Sequence, residues 1–144
     1  MNALRQVFRV PNALLGDCYY IVNQARPDEA MNLYYSLAKE VEDAGDPMFV
    51  FDGTHYPIGF IKGHKLFNKN CMHDDYLFVD KRYQRTGIGT ALIQAYEDFC
   101  RKNNFESIQL YSAPTVQAKS FYLKQGFKLA GPNSMLMQKT LKNR

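Results

Sequence analysis

The sequence has no tryptophan, only three cysteines and no long uninterrupted hydrophobic run. Cys18, Cys71 and Cys100 are an odd number at wide spacing, which fits neither a disulfide framework nor a zinc site. No segment approaches the run of about 18 apolar residues that a membrane span requires. Arg5 and Arg9 interrupt the apolar residues near the start, so we expect no signal peptide. These absences favour a cytoplasmic protein with no metal ion and no membrane partner.

The sequence also has no stretch rich in glycine, serine or proline and no block of like charge. Its composition, 46% hydrophobic and 14% aromatic, is that of an ordinary globular protein. A chain of 144 residues without a visible linker predicts a single domain over residues 1–144. The formal net charge of +4 favours anionic ligands, but it is too small and too scattered to indicate a nucleic-acid partner.

The first third of the chain is predicted to hold one strand and one helix. Residues 18–22 are aromatic and β-branched, which is typical of a strand. Pro27 can open a helix, and Gly45 and Pro47 can end it. The apolar residues at helical spacing in between are Ala30, Leu33, Leu37 and Val41. Residues 1–17 are either an edge strand or an arm that covers the sheet.

The remainder of the chain predicts strands that alternate with two helices. Ile88, Leu92, Ala95 and Phe99 recur on one helical face, and this helix should end near Asn103. Thr115 is a suitable N-cap for the next helix, and Gly126 a suitable residue after its end. The strands are predicted at 48–51, 58–66, 76–79, 107–111, 127–129 and 135–137, with a hairpin turn at Asp52-Gly53. The chain is therefore a mixed α/β (α+β) protein.

The most informative segment joins the predicted strand at 76–79 to the helix that follows. It reads Gln84-Arg85-Thr86-Gly87-Ile88-Gly89. A helix N-terminus presents unpaired N–H groups, and glycines let a phosphate approach the backbone closely. The third glycine of the dinucleotide pattern is replaced here by Leu92, and the Lys-Ser/Thr pair of the P-loop is absent. The segment thus predicts a phosphate site of another kind.

At these residues the sequence resembles the GNAT superfamily of N-acetyltransferases, whose pyrophosphate loop reads Gln/Arg-x-x-Gly-x-Gly/Ala. A second family pattern, Ala-x-x-x-Tyr-x-x-x-Gly-Phe, is matched by Ala118, Tyr122, Gly126 and Phe127. The resemblance covers roughly residues 26–141. It implies a central mixed, mostly antiparallel sheet flanked by helices, in which the fourth and fifth strands splay apart.

The resemblance also implies acetyl-CoA as the co-substrate. Its pyrophosphate would bind the loop residues Gln84, Arg85, Thr86, Gly87, Ile88, Gly89 and Thr90. The backbones of Phe78 and Val79 would pair with the pantetheine arm like an added strand. Thr115 stands where many family members have an asparagine that helps to hold the pantetheine.

The resemblance implies that Tyr122 protonates or hydrogen-bonds the departing CoA sulfur, since a phenol stays protonated at neutral pH. A base must also neutralise the acceptor ammonium. The candidates at the start of the fourth strand are Asp75, then His73, then Asp74. Simple strand alternation puts His73 and Asp75 on the face of Leu77 and Val79, and Asp74 on the face of Tyr76 and Phe78.

The function implied is transfer of an acetyl group from acetyl-CoA to a primary amine of a small molecule or peptide, by direct attack in a ternary complex. The alternative is a CoA-binding regulatory or interaction module that has no catalytic activity. Relatives often have two helices over the acceptor cleft, so one predicted helix implies a comparatively open cleft. The resemblance also allows a homodimer.

Overall fold

The computed structural model describes residues 3–32, 37, 47–67 and 69–141. The strands are β1 (Leu4–Val7), β2 (Met48–Asp52), β3 (Pro57–Lys65), β4 (Cys71–Val79), β5 (Ser107–Tyr111), β6 (Lys128–Leu129) and β7 (Leu136–Thr140). The helices are α1 (Asn12–Ala25), α2 (Ile88–Lys102) and α3 (Val116–Lys124), with a 3-10 turn at Lys81–Tyr83. Residues 27–32 and residue 37 are also helical. None of the helices in these ranges is long and apolar enough to cross a membrane.

The described strands form one sheet of order β1-β2-β3-β4-β5-β7-β6. β4 and β5 run parallel, and the other neighbouring pairs run antiparallel. The buried residues of α1 and those of α2 belong to two different apolar clusters, one on each side of the sheet. This confirms the mixed fold with a mostly antiparallel sheet flanked by helices.

β4 and β5 separate part-way along their length. Their parallel pairing runs from Cys71 opposite Ser107 to Asp74 opposite Leu110. Beyond Asp74, β4 continues to Val79 paired with β3 alone. The predicted splay of the fourth and fifth strands is confirmed, and we call the point of separation the fork.

The prediction of a first strand at residues 18–22 was wrong, because these residues lie inside α1. The buried residues of α1 are Leu14, Leu15, Cys18, Ile21 and Val22, which recur every three or four residues and form one helical face. Residues 18–22 contain only the end of this pattern and resemble a strand when they are considered alone. The first strand is β1, which pairs with β2 at the sheet edge. The edge-strand prediction for residues 1–17 is therefore confirmed for residues 4–7, whereas residues 12–17 belong to α1.

The expectation of a single helix before β2 was also wrong, because α1 precedes the helical residues 27–32. The open cleft inferred from a single helix loses its basis. Leu33, Val41 and Gly45, on which part of that prediction depended, lie outside the described residues.

The predicted placement of His73 and Asp75 on one face and Asp74 on the other is confirmed, but the predicted faces of residues 76–79 relative to them were wrong. Lys62 lies opposite Tyr76 and Gly63 opposite Asp74, so Asp75 is an extra residue in β4, a β-bulge. The bulge shifts the alternation by one position, because two consecutive residues of β4 face the same side.

The packing agrees with this shift. Leu77 packs with the α2 cluster, whereas Phe78 packs with the α1 cluster. A Cβ on Gly63 would collide with the hydroxyl of Tyr96 in α2, so Gly63 and its cross-strand partner Asp74 present their side-chain positions to α2. Asp74 therefore shares a face with Leu77, and Asp75 lies on the opposite face.

Candidate active site

The N-terminus of α2 forms an open cradle of backbone amides. Gly87 is the N-cap with φ 88°, a left-handed conformation that favours glycine, and no side chain caps the helix. The first helical bond runs from the Ala91 amide to the Gly87 carbonyl at 3.0 Å, so the amides of Ile88, Gly89 and Thr90 precede it. A Cβ on Gly87 would meet nothing within 4 Å. Free N–H groups at the positive end of a helix suit a phosphate.

The loop before α2 is held by its own side chains. The Gln84 side-chain amide donates to the Val79 carbonyl at 3.2 Å, and the Thr86 hydroxyl donates to the Tyr83 carbonyl. Arg85 adopts a left-handed φ of 66° and is exposed. The predicted loop residues thus lie together, with the amides of the helix start as their open part.

An ion pair anchors the beginning of this loop to the sheet. The Asp80 carboxylate is fully buried and accepts from the Arg82 guanidinium at 2.9 Å. The same guanidinium donates to the Tyr56 hydroxyl at 2.9 Å. The hydrogen bond from Arg82 is the main reason why the pKa of Asp80 is lowered. Arg82 is therefore committed to the protein and shapes the loop.

The free edge of β4 beyond the fork is open to an added strand. The Asp80 amide donates to the Ile58 carbonyl at 2.7 Å, which makes that pair a hydrogen-bonded one. Since such pairs alternate in an antiparallel ladder, the backbone groups of Phe78 point to β3 and those of Leu77 and Val79 point away from it. The geometry thus supports the N–H of Val79 as a pantetheine partner, since its carbonyl already accepts from Gln84. It does not support Phe78, whose N–H and C=O are directed to the neighbouring strand.

Tyr122 lies on the α2 side of the sheet. Its ring makes edge contacts with Phe121 and Phe127, at centroid distances of 5.1 and 5.8 Å. Its hydroxyl has no hydrogen-bond partner in the described part of the chain. Burial, and then the nearby Asp74, raise the pKa of Tyr122, so the phenol is a donor at neutral pH. This is the protonation state that the predicted role requires.

Asp74 occupies the last position of β4 before the fork. It is 5% exposed, and neither carboxyl oxygen has a hydrogen-bond partner among the residues that the structure describes. Burial raises the pKa of Asp74 well above its usual range, and the neighbouring Asp75 raises it further. Asp74 is thus favoured in its neutral form, which suits it poorly as a base.

On the opposite face, Asp75 gathers three basic side chains. Its Oδ2 lies 2.7 Å from His64 Nδ1 and 3.9 Å from the Nζ of the fully buried Lys62. Its Oδ1 lies 4.0 Å from His73 Nε2. We call Lys62, His64, His73 and Asp75 the acceptor-face cluster. The predicted catalytic pair, Asp75 and His73, is brought together here.

β5 adds two contacts to this cluster. The side-chain nitrogen of Gln109 lies 3.0 Å from His73 Nδ1, and the Tyr111 ring lies 5.4 Å from the His73 ring. Burial is the main reason why the pKa of His73 is lowered. The sequence prediction had missed His64, Lys62 and Gln109; the alternation of Lys62 and His64 in an otherwise apolar strand was the available signal.

Thr115 is the N-cap of α3, as predicted. Its hydroxyl oxygen accepts from the Ala118 amide at 3.1 Å, and the hydroxyl retains its own proton for a further bond. Gly126 has the left-handed φ of 94° that was expected after the end of this helix.

The loop, the fork and Tyr122 occur together in a chain that is similar to known acetyltransferases. The profile of the Acetyltransferase (GNAT) family matches residues 11–127. The chain belongs to this family. Streptothricin acetyltransferase A of Bacillus subtilis (strain 168) is 28% identical over 110 residues, which are 76% of this chain and 60% of that protein. The chain spans about three fifths of the length of the curated relatives that it matches.

Solved structures of this family share the fold. An aminoglycoside 6'-N-acetyltransferase complexed with coenzyme A aligns with a TM-score of 0.84 at 17% identity, over 98% of both chains. The ribosomal-protein-S18-alanine N-acetyltransferase of Escherichia coli aligns with a TM-score of 0.78 at 18% identity, over 100% of this chain and 96% of that one. Sequence identities this low show similarity of fold alone.

Proposed function

We propose that this GNAT protein is an N-acetyltransferase that moves an acetyl group from acetyl-CoA to a primary amine in a ternary complex. The observation that carries the proposal is the fork, which opens between the amide cradle of α2 and the phenol of Tyr122 on one face and the acceptor-face cluster on the other. A thioester placed in the fork would meet a proton donor on one side and basic groups on the other.

The described residues fit CoA as a ligand. The amides of Ile88, Gly89 and Thr90 would hold the pyrophosphate, with Arg85 beside them as the exposed cation. The backbone of Val79 would pair with the pantetheine arm, and the Thr115 hydroxyl would donate to it. Acetyl-CoA supplies the acetyl group as an activated thioester.

The chain's own groups divide the proton transfers. One proton of the acceptor ammonium passes to a base on the α1 face, and Asp75 and His73 lie there. The amine nitrogen then bonds to the acetyl carbon while the carbon–sulfur bond breaks. The Tyr122 hydroxyl gives its proton to the departing sulfur. The second proton lost by nitrogen returns through solvent to the phenolate oxygen, so Tyr122 ends the reaction protonated.

The acceptor is proposed to be a primary amine on a small molecule or a peptide. The similar proteins are named for acceptors of both kinds: streptothricin, an aminoglycoside and a protein alanine. On this chain, the half-exposed His64 and the Tyr111 ring, which is 67% exposed, are accessible groups beside the fork. A ring of this kind can lie against a cationic amine.

The test is thermal unfolding with and without acetyl-CoA, followed by an assay of thiol release with a panel of amines. A ligand that binds only the folded state adds about 2.7 kcal/mol of stability at a hundredfold excess over Kd. We expect Tm to rise with acetyl-CoA and thiol to appear only when an amine is present. An unchanged Tm at millimolar acetyl-CoA would contradict the proposal; a raised Tm without thiol release would favour a CoA-binding module.

A further inference from the structure

We propose that His64 is the base that removes the proton from the acceptor ammonium, and that Asp75 is its positioning residue. The proposal rests on the acetyltransferase reaction proposed above and assigns one step of it. It follows from the contacts and exposure within the acceptor-face cluster: Asp75 and His73 are largely buried and contact other side chains, whereas His64 has an exposed ring nitrogen.

His64 has a free ring nitrogen beside the fork. Its Nδ1 lies 2.7 Å from Asp75 Oδ2. An ionised carboxylate only accepts hydrogen bonds, so neutral His64 carries its proton on Nδ1 and its lone pair on Nε2. Nε2 has no hydrogen-bond partner among the described residues, and the side chain is 37% exposed. A ligand amine can therefore reach this lone pair.

His73 does not offer a free lone pair. The Gln109 side-chain nitrogen, an N–H donor, lies 3.0 Å from His73 Nδ1, so Nδ1 accepts. The proton of neutral His73 is then on Nε2, which faces Asp75 Oδ1 at 4.0 Å. Burial also lowers the pKa of His73, which disfavours proton uptake. His73 supports the cluster as a neutral side chain.

Asp75 is less accessible than His64 and already engaged. Its side chain is 17% exposed, and the ammonium of the fully buried Lys62 lies 3.9 Å from Oδ2. Lys62 favours the anionic form of Asp75 by direct attraction between opposite charges. A carboxylate in this arrangement fixes the tautomer of the imidazole and stabilises the imidazolium that forms.

The proton transfer is balanced within this pair. The Nε2 lone pair takes one proton from the ammonium, which leaves a neutral amine and an imidazolium that faces Asp75. The imidazolium then releases that proton to water. Among the described residues, the titratable groups around His64 are Asp75, His73 and Tyr76 from β4 and Lys62 from β3. Tyr111 of β5 lies against His73, and Tyr19 of α1 is on the same side of the sheet.

The experiment compares H64A with H55A, because His55 is an exposed histidine in the β2–β3 turn. We expect H64A to lower kcat/KM about 100-fold, and H55A to leave it unchanged. The acid limb of the wild-type pH profile of kcat/KM should disappear in H64A, and added imidazole should restore part of the rate. The rise in Tm with acetyl-CoA should be equal in all three proteins.

D75N tests the positioning role. Loss of the carboxylate removes the acceptor that keeps the His64 proton on Nδ1 and the lone pair on Nε2, so kcat/KM should fall while the rise in Tm with acetyl-CoA is unchanged. A purely structural role for Asp75 would lower Tm and leave kcat/KM of the folded protein unchanged.

The outcomes separate the two proposals. If the wild type acetylates an amine and the H64A rate lies within about twofold of the wild-type rate, the assignment of His64 is rejected and the proposed reaction stands. A loss of rate in H64A that imidazole does not restore, with the acid limb unchanged, would also reject it. A wild type that binds acetyl-CoA but acetylates no amine would overturn the reaction itself, and this assignment with it.

Discussion

Asp74 and Asp75 are neighbours in sequence, yet they lie in opposite environments on the two faces of the sheet. Asp74 is buried beneath α2, and neither of its carboxyl oxygens has a hydrogen-bond partner in the described chain. Asp75 accepts from His64 and faces Lys62 and His73. One carboxyl is favoured neutral and the other is surrounded by groups that favour its anion.

Strand alternation alone places these consecutive residues on opposite faces, so one carboxyl lies near Tyr122 and the other in the acceptor-face cluster. The β-bulge at Asp75 acts on the residues that follow. It puts Tyr76 and Phe78 on the face of Asp75, and Leu77 on the face of Asp74.

The largest expected effect is on catalysis by Tyr122, which lies with Asp74 on the α2 side of the sheet. Y122F should lower kcat about 100-fold, because it removes the donor for the sulfur and leaves the amide cradle intact. Y20F is the matched control, since the Tyr20 ring is exposed on α1. Steady-state kinetics and acetyl-CoA thermal shifts measure both. Equal loss of rate and of acetyl-CoA binding in Y122F would point to a packing role.

The next effect concerns Asp75 as a partner of a buried cation. D75N should destabilise the protein by about 2 kcal/mol, because Lys62 is fully buried and loses a nearby opposite charge. The value is below that for a fully buried pair because Asp75 is partly exposed. Urea unfolding of D75N and of the exposed-site control D98N measures it. Equal midpoints would show that other groups stabilise the ammonium.

Substitution of Asp74 should raise the stability of the protein, whereas substitution of Asp75 should lower it. Its folded pKa is raised, so the folded state binds a proton that the unfolded carboxyl, with a pKa of about 3.9, has lost. The wild type should therefore lose stability as pH rises above this value and through the raised pKa. D74N removes this titration and should be more stable at pH 8 by about 1 kcal/mol.

Urea unfolding of D74N at pH 4 and pH 8 measures this effect, with D98N as the control. The advantage of D74N should shrink at pH 4, where the wild-type carboxyl is protonated in the folded state and about half protonated in the unfolded state. A D74N variant that is less stable at both pH values would mean that the carboxyl has a stabilising partner.

The smallest expected effects concern two glycines of the phosphate loop, one important for stability and the other for ligand binding. G87A should cost about 1 kcal/mol of stability, because φ is 88° there. G89A should cost little in the free protein, since its Cβ would make an ordinary contact with Phe121 at 3.5 Å. We expect G89A to weaken acetyl-CoA binding more than it weakens folding. Unfolding curves and binding titrations of both variants measure this.

Local signals allowed the second half of the chain to be predicted. β5 has the predicted bounds, α2 begins at the glycines, and Thr115 caps α3. Each of these features depends on residues within about one helical turn or one strand, so the local sequence carries the information.

The predictions that were wrong or missing concern features that depend on contacts between distant parts of the chain. Residues 18–22 have the composition of a strand but continue an apolar helical face that begins at Leu14. The bulge at Asp75 is fixed by the register between β3 and β4, which composition does not encode. His64 approaches Asp75 across the same hairpin, so its role appears only when the two strands are paired.

The hydrogen bonds and the ion pair that shape the phosphate loop have a consequence for selectivity between acyl groups. Asp80, Arg82, Gln84 and Thr86 hold the loop by bonds within the protein, so the loop is formed before any ligand arrives. It would contact the part that every acyl-CoA has in common. In the proposed reaction, discrimination between acyl groups would then occur at the other end of the ligand, where the width of the opening between β4 and β5 would limit how large a group can enter.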